Sequence, residues 1–350
     1  MKRMNVIAAV AAVVTLTGCS MNEVEIESGE IQFKANAIST KALINPVGTK
    51  DSTKFPTSEK FGVVAYYTNE SSVVTKFMDK VKISNQKGDW KAESTDPYIW
   101  PAKGTIDFYA YHPYNVDVEV NSDKRITFPG INLGNEIGYQ NDPLVAMAKD
   151  QVAANRPKVG LVFKHIASQI VISATDVTES NSLRGKITLK EVKVNNVKIS
   201  GDYVDGTTLG KGTWSNQAIP TTFTVFSGSE QLDSTESYLS ANSFSSSLDG
   251  CAAFVVVPQT ISAGTQTITV KYDVKEFSCN GTVYPAQENK TDTVNISVND
   301  DNGFLCGKRY VYHLGFSLDG VNKEITFSPV VEGWTNEDIN NIVFDCSPED

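Results

Sequence analysis

The sequence predicts an all-β protein, and three observations carry that prediction. Short runs rich in aromatic and β-branched residues recur with turn residues between them. Several of these runs alternate apolar and polar residues, the period of a half-buried strand. No stretch of about 12 residues carries the period of an amphipathic helix. Strands at turn-separated intervals imply β-sandwiches, and 350 residues leave room for two, each burying its own core.

In chain order, Lys2 and Arg3 precede an unbroken apolar run of nine residues, Val6 to Val14. A bilayer span needs roughly 20 residues, so this run reads as a signal segment. Leu16-Thr17-Gly18-Cys19 follows and resembles the bacterial lipobox, which makes Cys19 the acylated first residue of the mature chain. Met21 to Glu30 is an acidic tether, and Ile31, Phe33, Ala35 and Ala37 then alternate with polar residues as a strand. Polar, Pro-containing sequence continues to Thr57 with Lys41, Lys50 and Lys54 open to a protease.

From Phe61 the β-type runs begin: Phe61–Tyr67 and Ile106–Tyr111, with Asn141–Ala148 as a short strand or one helical turn. A polar stretch from Asp150 to Pro157 marks a boundary. Beyond it lie strands at Leu161–Ile172, Lys186–Ile199 and Cys251–Val257. The apolar phase of the second slips near Glu191-Val192, which predicts a bulge. Ile268, Val270, Tyr272 and Val274 alternate cleanly, as do Val294, Ile296 and Val298, then Tyr310, Tyr312, Leu314 and Phe316. Ile325–Phe327 and Ile342–Phe344 close the chain. The expected organisation is a signal peptide over 1–18 and a tether, strand and loop over 19–57. A first sandwich over 58–156 and a second over 157–350 follow.

Net charge is −10, and without Lys2 and Arg3 it falls to −12, with 29 basic against 41 acidic residues. That balance disfavours nucleic acid and anionic lipid surfaces as partners, because both require clustered Lys and Arg. With Cys19 on lipid, Cys251, Cys279, Cys306 and Cys346 remain as a disulfide pool. Four cysteines allow three pairings, and none sits in a CxxC, so no zinc site is expected.

Catalytic patterns are missing. His112, His165 and His313 are scattered without HExxH, and Gly315-Phe-Ser317-Leu-Asp319 lacks the final glycine of a nucleophile elbow. Gly206…Gly210-Lys211 and Gly303…Gly307-Lys308 have three residues between the glycines where a phosphate loop has four. Asn299–Gly303 is acidic, but Val298 and Arg309 occupy ligand positions of the calcium-loop pattern, so a solvated turn is expected there. No enzyme activity, cofactor or metal is predicted.

Several segments occur in a family order: Phe61-Gly62…Tyr66-Tyr67, Trp100-Pro101, Phe108-Tyr-Ala-Tyr111-His-Pro113 and Asp142-Pro-Leu-Val-Ala146. Leu161-Val-Phe-Lys-His165-Ile-Ala167, Val257-Pro258-Gln259, Gly307…Tyr310-Val-Tyr312 and Trp334 complete the set. With the lipobox, they resemble the fimbrillin-like (Mfa-like) lipoproteins of Gram-negative anaerobes over essentially the whole mature chain. The resemblance implies two transthyretin-like β-sandwich domains and a pilus subunit serving cell adhesion. It implies delivery to the outer membrane as a lipoprotein, removal of an amino-terminal strand by a trypsin-like protease, and replacement of that strand by one from a neighbouring subunit.

Mapped onto this chain, the removable strand is Ile31–Ala37 and the cut follows Lys41, before Ala42. The family's site is commonly arginine, and this loop has lysines only. The donor would be the carboxy-terminal run with Ile339, Ile342, Val343 and Phe344, which reads equally as the last strand of its own domain. In that second case the subunit would be a tip or accessory pilin. Partners are then other fimbrial subunits, the protease, the membrane through Cys19, and a surface receptor for which the sequence carries no signature. The alternative is a lipid-anchored monomer that stacks glycans on Tyr98, Trp100 or Tyr139.

Overall fold

A computed structural model describes residues 29–37, 55–155, 158–279, 281–296, 298 and 303–318, and the backbone of 335–345. Its strands in chain order are β1 (Phe33–Ala37), β2 (Lys60–Thr68), β3 (Val74–Gln86), β4 (Asp89–Ala92) and β5 (Thr105–His112). β6 (Glu119–Val120), β7 (Ile126–Asn132), β8 (Leu144–Gln151), β9 (Val159–His165) and β10 (Ser168–Asp176) follow. Next come β11 (Ile187–Val204), β12 (Thr213–Gln231), β13 (Ser237–Leu239), β14 (Phe244–Ser245), β15 (Phe254–Val256) and β16 (Thr267–Val274). β17 (Phe277–Cys279), β18 (Thr282–Tyr284), β19 (Gln287–Asn295), β20 (Lys308–Ser317) and β21 (Thr335–Asp345) complete the set. Two short 3-10 turns, at Ala153–Asn155 and Leu248–Gly250, are the helical elements among the described residues. The all-β expectation holds, and Asn141–Ala148 resolves as a strand.

The first body is a closed barrel in the order β1-β4-β3-β2-β5-β8-β9, where the sequence predicts a β-sandwich. Closure gives each strand a neighbour on both sides, although β4 reaches only Ile83–Gln86 of β3 and one residue of β1. It draws on β1 from before the expected first domain and on β9 from after residue 156, while β6 and β7 join a sheet of the second body. Phe61, Val63 and Ala65 of β2, Ile106, Phe108 and Ala110 of β5, and Leu144 and Ala146 of β8 fill the barrel. The intervening Val64, Tyr109, Tyr111 and Val145 face the second core. These strands read as continuous apolar runs because both of their faces are covered. At Gly62 a Cβ would lie 2.1 Å from Tyr111 Cζ, so the missing side chain is what lets that ring lie across β2.

The second body is two sheets packed face to face. One runs β14-β13-β10-β20-β21 with β15 also on β10; the other runs β19-β16-β11-β7-β6 with β12 on β11. Their inner faces share one core, in which the Tyr272 and Phe316 rings lie 5.7 Å apart and Phe223 stacks on Phe254 at 4.3 Å. The alternating set of β16 and that of β20 both point inward, as their period requires. β15 is shorter than the apolar run that contains it. The β11–β12 hairpin spans the body, pairing with β16 along its first half and with β7 along its second. Register shifts between Leu189 and Glu191 and between Val192 and Lys193 are the bulge that the apolar phase slip predicts.

Hydrogen bonds also join this body to the segments that lead into and out of the barrel. Trp214 Nε1–H donates to the Ile166 carbonyl at 2.9 Å. The Gln140 amide, in the segment joining β7 to β8, donates to the Val255 carbonyl at 2.7 Å and accepts from its N–H at 2.8 Å.

Candidate functional site: the barrel seam

The barrel closes at β1, and the local sequence explains how. Ile31, Phe33 and Ala35 alternate with Gln32, Lys34 and Asn36, so one face of an extended segment is wholly apolar. That face enters the core: Ile31 and Phe33 are each 1% exposed and Ala35 is 5% exposed. The Phe33 ring meets Phe61 and Phe108 edge-on, with centroids 6.1 and 5.4 Å away. Trp90, Phe61, Phe163 and His112 surround Phe55, the first described residue after the loop, which covers this end of the core.

Backbone pairing across the seam is lopsided. β1 runs parallel to β9 over five residue pairs, Phe33–Val159 to Ala37–Phe163, but meets β4 at one pair, Phe33–Trp90. Ahead of the strand, Ile31 N–H donates to the Tyr98 carbonyl at 2.7 Å and Trp100 N–H to the Gly29 carbonyl at 3.2 Å. Val159 N–H donates to the Gln32 carbonyl at 2.8 Å, and Phe55 N–H to the Ala35 carbonyl at 3.4 Å. Two ion pairs flank the seam, Lys91–Glu30 at 3.3 Å and Lys158–Asp89 at 2.7 Å. Both are partly solvated, and such pairs contribute about 0–1 kcal/mol each. Apolar burial and ladder bonds therefore hold β1 in place.

Just beyond the end of β1 lies a buried polar cluster. His112 Nδ1–H donates to the Lys60 carbonyl at 2.9 Å, and burial pushes its pKa below the usual histidine value. His165 Nδ1 lies 2.9 Å from the Asp142 carboxylate. Both histidines serve packing and hydrogen bonding inside the body.

The structure also assembles one group that linear motifs do not reveal. Ser173 of β10, Glu236 beside β13 and His313 of β20 converge on the outer face of the second body. Ser173 Oγ–H donates to Glu236 Oε1 at 2.6 Å and lies 2.7 Å from His313 Nδ1, and that same nitrogen contacts Glu236. A catalytic relay uses opposite imidazole nitrogens for serine and acid; here one nitrogen serves both, so no proton can be passed along. His313 holds the Glu236 carboxyl below its ordinary pKa, as a structural ion pair does. The residues are 63 and 77 positions apart or more, and only the pairing of β10 with β20 could have brought them to notice.

The Gly206–Lys211 loop is filled from within. Asp205 accepts from the Gly210 N–H at 2.9 Å and from Tyr203 O–H at 2.7 Å, so a carboxylate occupies the place of an anion. Among the described residues no group of three or more His, Cys, Asp or Glu could hold a metal ion.

Of the residues singled out in the sequence, Ile31, Phe33 and Ala35 come together in the seam. Cys19, Lys41, Ala42, Lys50, Lys54 and Cys346 lie outside the described residues, as do Asn299 to Asn302. Ala37 ends β1, and Ile339, Ile342, Val343 and Phe344 belong to β21, whose backbone runs parallel to β20 at the sheet edge. Cys279 and Cys306 are free thiols, and burial pushes the Cys306 thiol up to about 11. Cys251 packs half-buried against the Val171, Ala253 and Val311 cluster. Of the three aromatics considered for stacking, Trp100 is core and Tyr98 packs on Phe77, while Tyr139 is 82% exposed.

The described residues thus form a barrel closed by one amino-terminal strand and joined to a β-sandwich. The chain belongs to the fimbrillin-like family, whose sequence model matches residues 40–334; it is a structural, non-enzymatic protein. It is similar to fimbrium subunit Fim1C of Phocaeicola vulgatus, with 28% identity over 135 residues, 35% of this chain and 34% of that protein. The chain thus matches about a third of that curated relative's length. In fold it is similar to the crystal structure of a fimbrial protein from Bacteroides vulgatus. The TM-score is 0.53 at 18% identity, covering 87% of this chain and 99% of that one.

Proposed function

We propose that this protein is a fimbrial subunit serving cell adhesion, exported as a precursor lipidated on Cys19, held at the outer membrane, and assembled by strand exchange at the barrel seam. In this reading the barrel and the sandwich are the tandem transthyretin-like units of the fimbrillin-like family. A trypsin-like protease cuts the loop after Lys41, before Ala42, or after Lys50 or Lys54. The cut frees the body from its lipid and lets β1 depart. The carboxy-terminal run of a neighbouring subunit then fills the seam.

The observation that carries the reading is that β1 alone closes the barrel while meeting β4 at a single residue pair. Its departure would open two strand edges and an aromatic cavity, and unpaired edges accept a further strand readily. The test is limited trypsin on purified precursor. Cleavage between Lys41 and Lys54 should be followed by an SDS-resistant ladder; cleavage without assembly at high concentration removes the stalk role and favours a tip or non-pilus role. The second reading, a glycan-binding lipid-anchored monomer, rests on the exposed Tyr139 ring, which suits stacking on a sugar face. It requires the chain to persist at full length with its lipid.

A further inference from the structure

The seam is an uneven mould. From Ile31 into β1 it takes a β-branched side chain at Ile31, an aromatic ring between Phe61 and Phe108 at Phe33, and a methyl group at Ala35. The intervening positions are outward and polar. An occupant must therefore read Ile–x–Phe–x–small, running parallel to β9.

The same spacing occurs at four other places in the chain. Ile106-Asp-Phe108-Tyr-Ala110 lies in β5, between β2 and β8, and Ile126-Thr-Phe128-Pro-Gly130 lies in β7, between β11 and β6. Both are already paired on two sides. Ile325-Thr-Phe327-Ser-Pro329 would put a proline at the Ala35 position. The site there is buried and holds a methyl group, and the larger pyrrolidine ring would overpack it. Ile342-Val343-Phe344-Asp345-Cys346 remains, ending on a small thiol that behaves as a compact apolar group.

Resting on the strand-exchange reading above, we propose that the seam selects its occupant by this size pattern. The selected segment is the Ile342–Cys346 run of a second copy of the chain, in a single register. Ile342 takes the place of Ile31, Phe344 that of Phe33 and Cys346 that of Ala35; Val343 and Asp345 face outward. The neighbouring register, built on Ile339, would drive the Asn341 amide into the aromatic site at the Phe33 position. A buried amide without a partner there is strongly disfavoured, and both Ile342 and Phe344 would face out. The uneven apolar spacing from Ile339 to Phe344 is thus resolved: the inward set begins at Ile342.

The register is tested on the full-length chain cut by trypsin, following growth of the SDS-resistant ladder. Phe344→Ala should slow growth by about tenfold or more through loss of one buried ring, whereas Ile339→Ala and Phe327→Ala should stay within about twofold. Because Phe344→Ala could also loosen its own sheet, a second readout uses the parent chain. Maleimide labelling of Cys346, mapped by mass spectrometry, should be at least about tenfold slower in polymer than in denatured chain, by exclusion of reagent from a packed core. A polymer in which Ile339→Ala or Phe327→Ala dominates, or in which Cys346 labels as in denatured chain, overturns the register alone. A parent chain that is cut yet never polymerises removes self-donation and the stalk role, and the register with them.

Discussion

Replacing Phe33 by alanine probes the seam directly. The ring is 1% exposed and touches Phe61 and Phe108 edge-on, so its removal forfeits apolar burial and two aromatic contacts and leaves a cavity. Phe→Ala in a core costs about 3–5 kcal/mol. The lower end applies here, because β1 is short and tied to β4 at one pair, so the strand can shift inward. About 3 kcal/mol is a large share of a domain stability of about 5–15 kcal/mol. The assay is urea unfolding followed by tryptophan fluorescence, since Trp90 and Trp100 are buried in this core. Lys34→Ala, one residue along and pointing outward, is the control and should stay within about 0.5 kcal/mol. A Phe33→Ala loss below about 1 kcal/mol, or equal to that of the control, would refute the placement of β1 as the closing strand.

Other substitutions probe the two cores and their buried or paired charges. Gln140→Ala orphans both backbone groups of Val255, at about 1–3 kcal/mol each. Gln140→Glu should be no better, since a carboxylate cannot donate to the Val255 carbonyl; urea midpoints check both. Gly62→Ala forces the Tyr111 ring off β2 and should cost about 1–3 kcal/mol as overpacking, with a change in near-ultraviolet circular dichroism. Burial depresses the His112 pKa in the folded state, so the unfolded chain binds the proton first as pH falls. Stability should therefore decline below about pH 6.5, and His112→Phe should flatten the profile between pH 7 and 5. Lys82 and then Lys60 hold the Glu93 carboxyl down to about 2. Its contribution is present above the ordinary carboxylate pKa and is lost as pH falls from about 4.5 to 2. Glu93→Gln should abolish that part of the acid slope.

Local pattern made much of this legible. The alternation at Ile31–Ala37 is a property of the peptide alone, and it specifies an extended segment with one apolar face. The phase slip near Glu191 likewise marks a bulge, since one extra residue reverses every later side chain. His112 and His165 show no catalytic spacing in the sequence, and in the structure both are buried and hydrogen-bonded. What pattern could not supply is which strands become neighbours. The runs Phe61–Ala65 and Ile106–Tyr111 show that both faces are covered but not by what, and the answer is a second body laid against the barrel wall. A boundary placed by the polar composition of 150–157 takes no account of hydrogen bonds, which carry β9 back to β1 and β8 and send β7 forward to β11.

The sequence by itself determined the all-β class, the apolar face of the Ile31–Ala37 segment and the lack of catalytic spacing, because each depends on residue type and short-range period. Tertiary structure alone decided that the segment closes a barrel, that its ring sits between Phe61 and Phe108, and that Ser173, Glu236 and His313 converge without forming a relay. Those facts depend on pairings between strands tens of residues apart, and chain entropy, hydrogen-bond closure and shared burial settle them together.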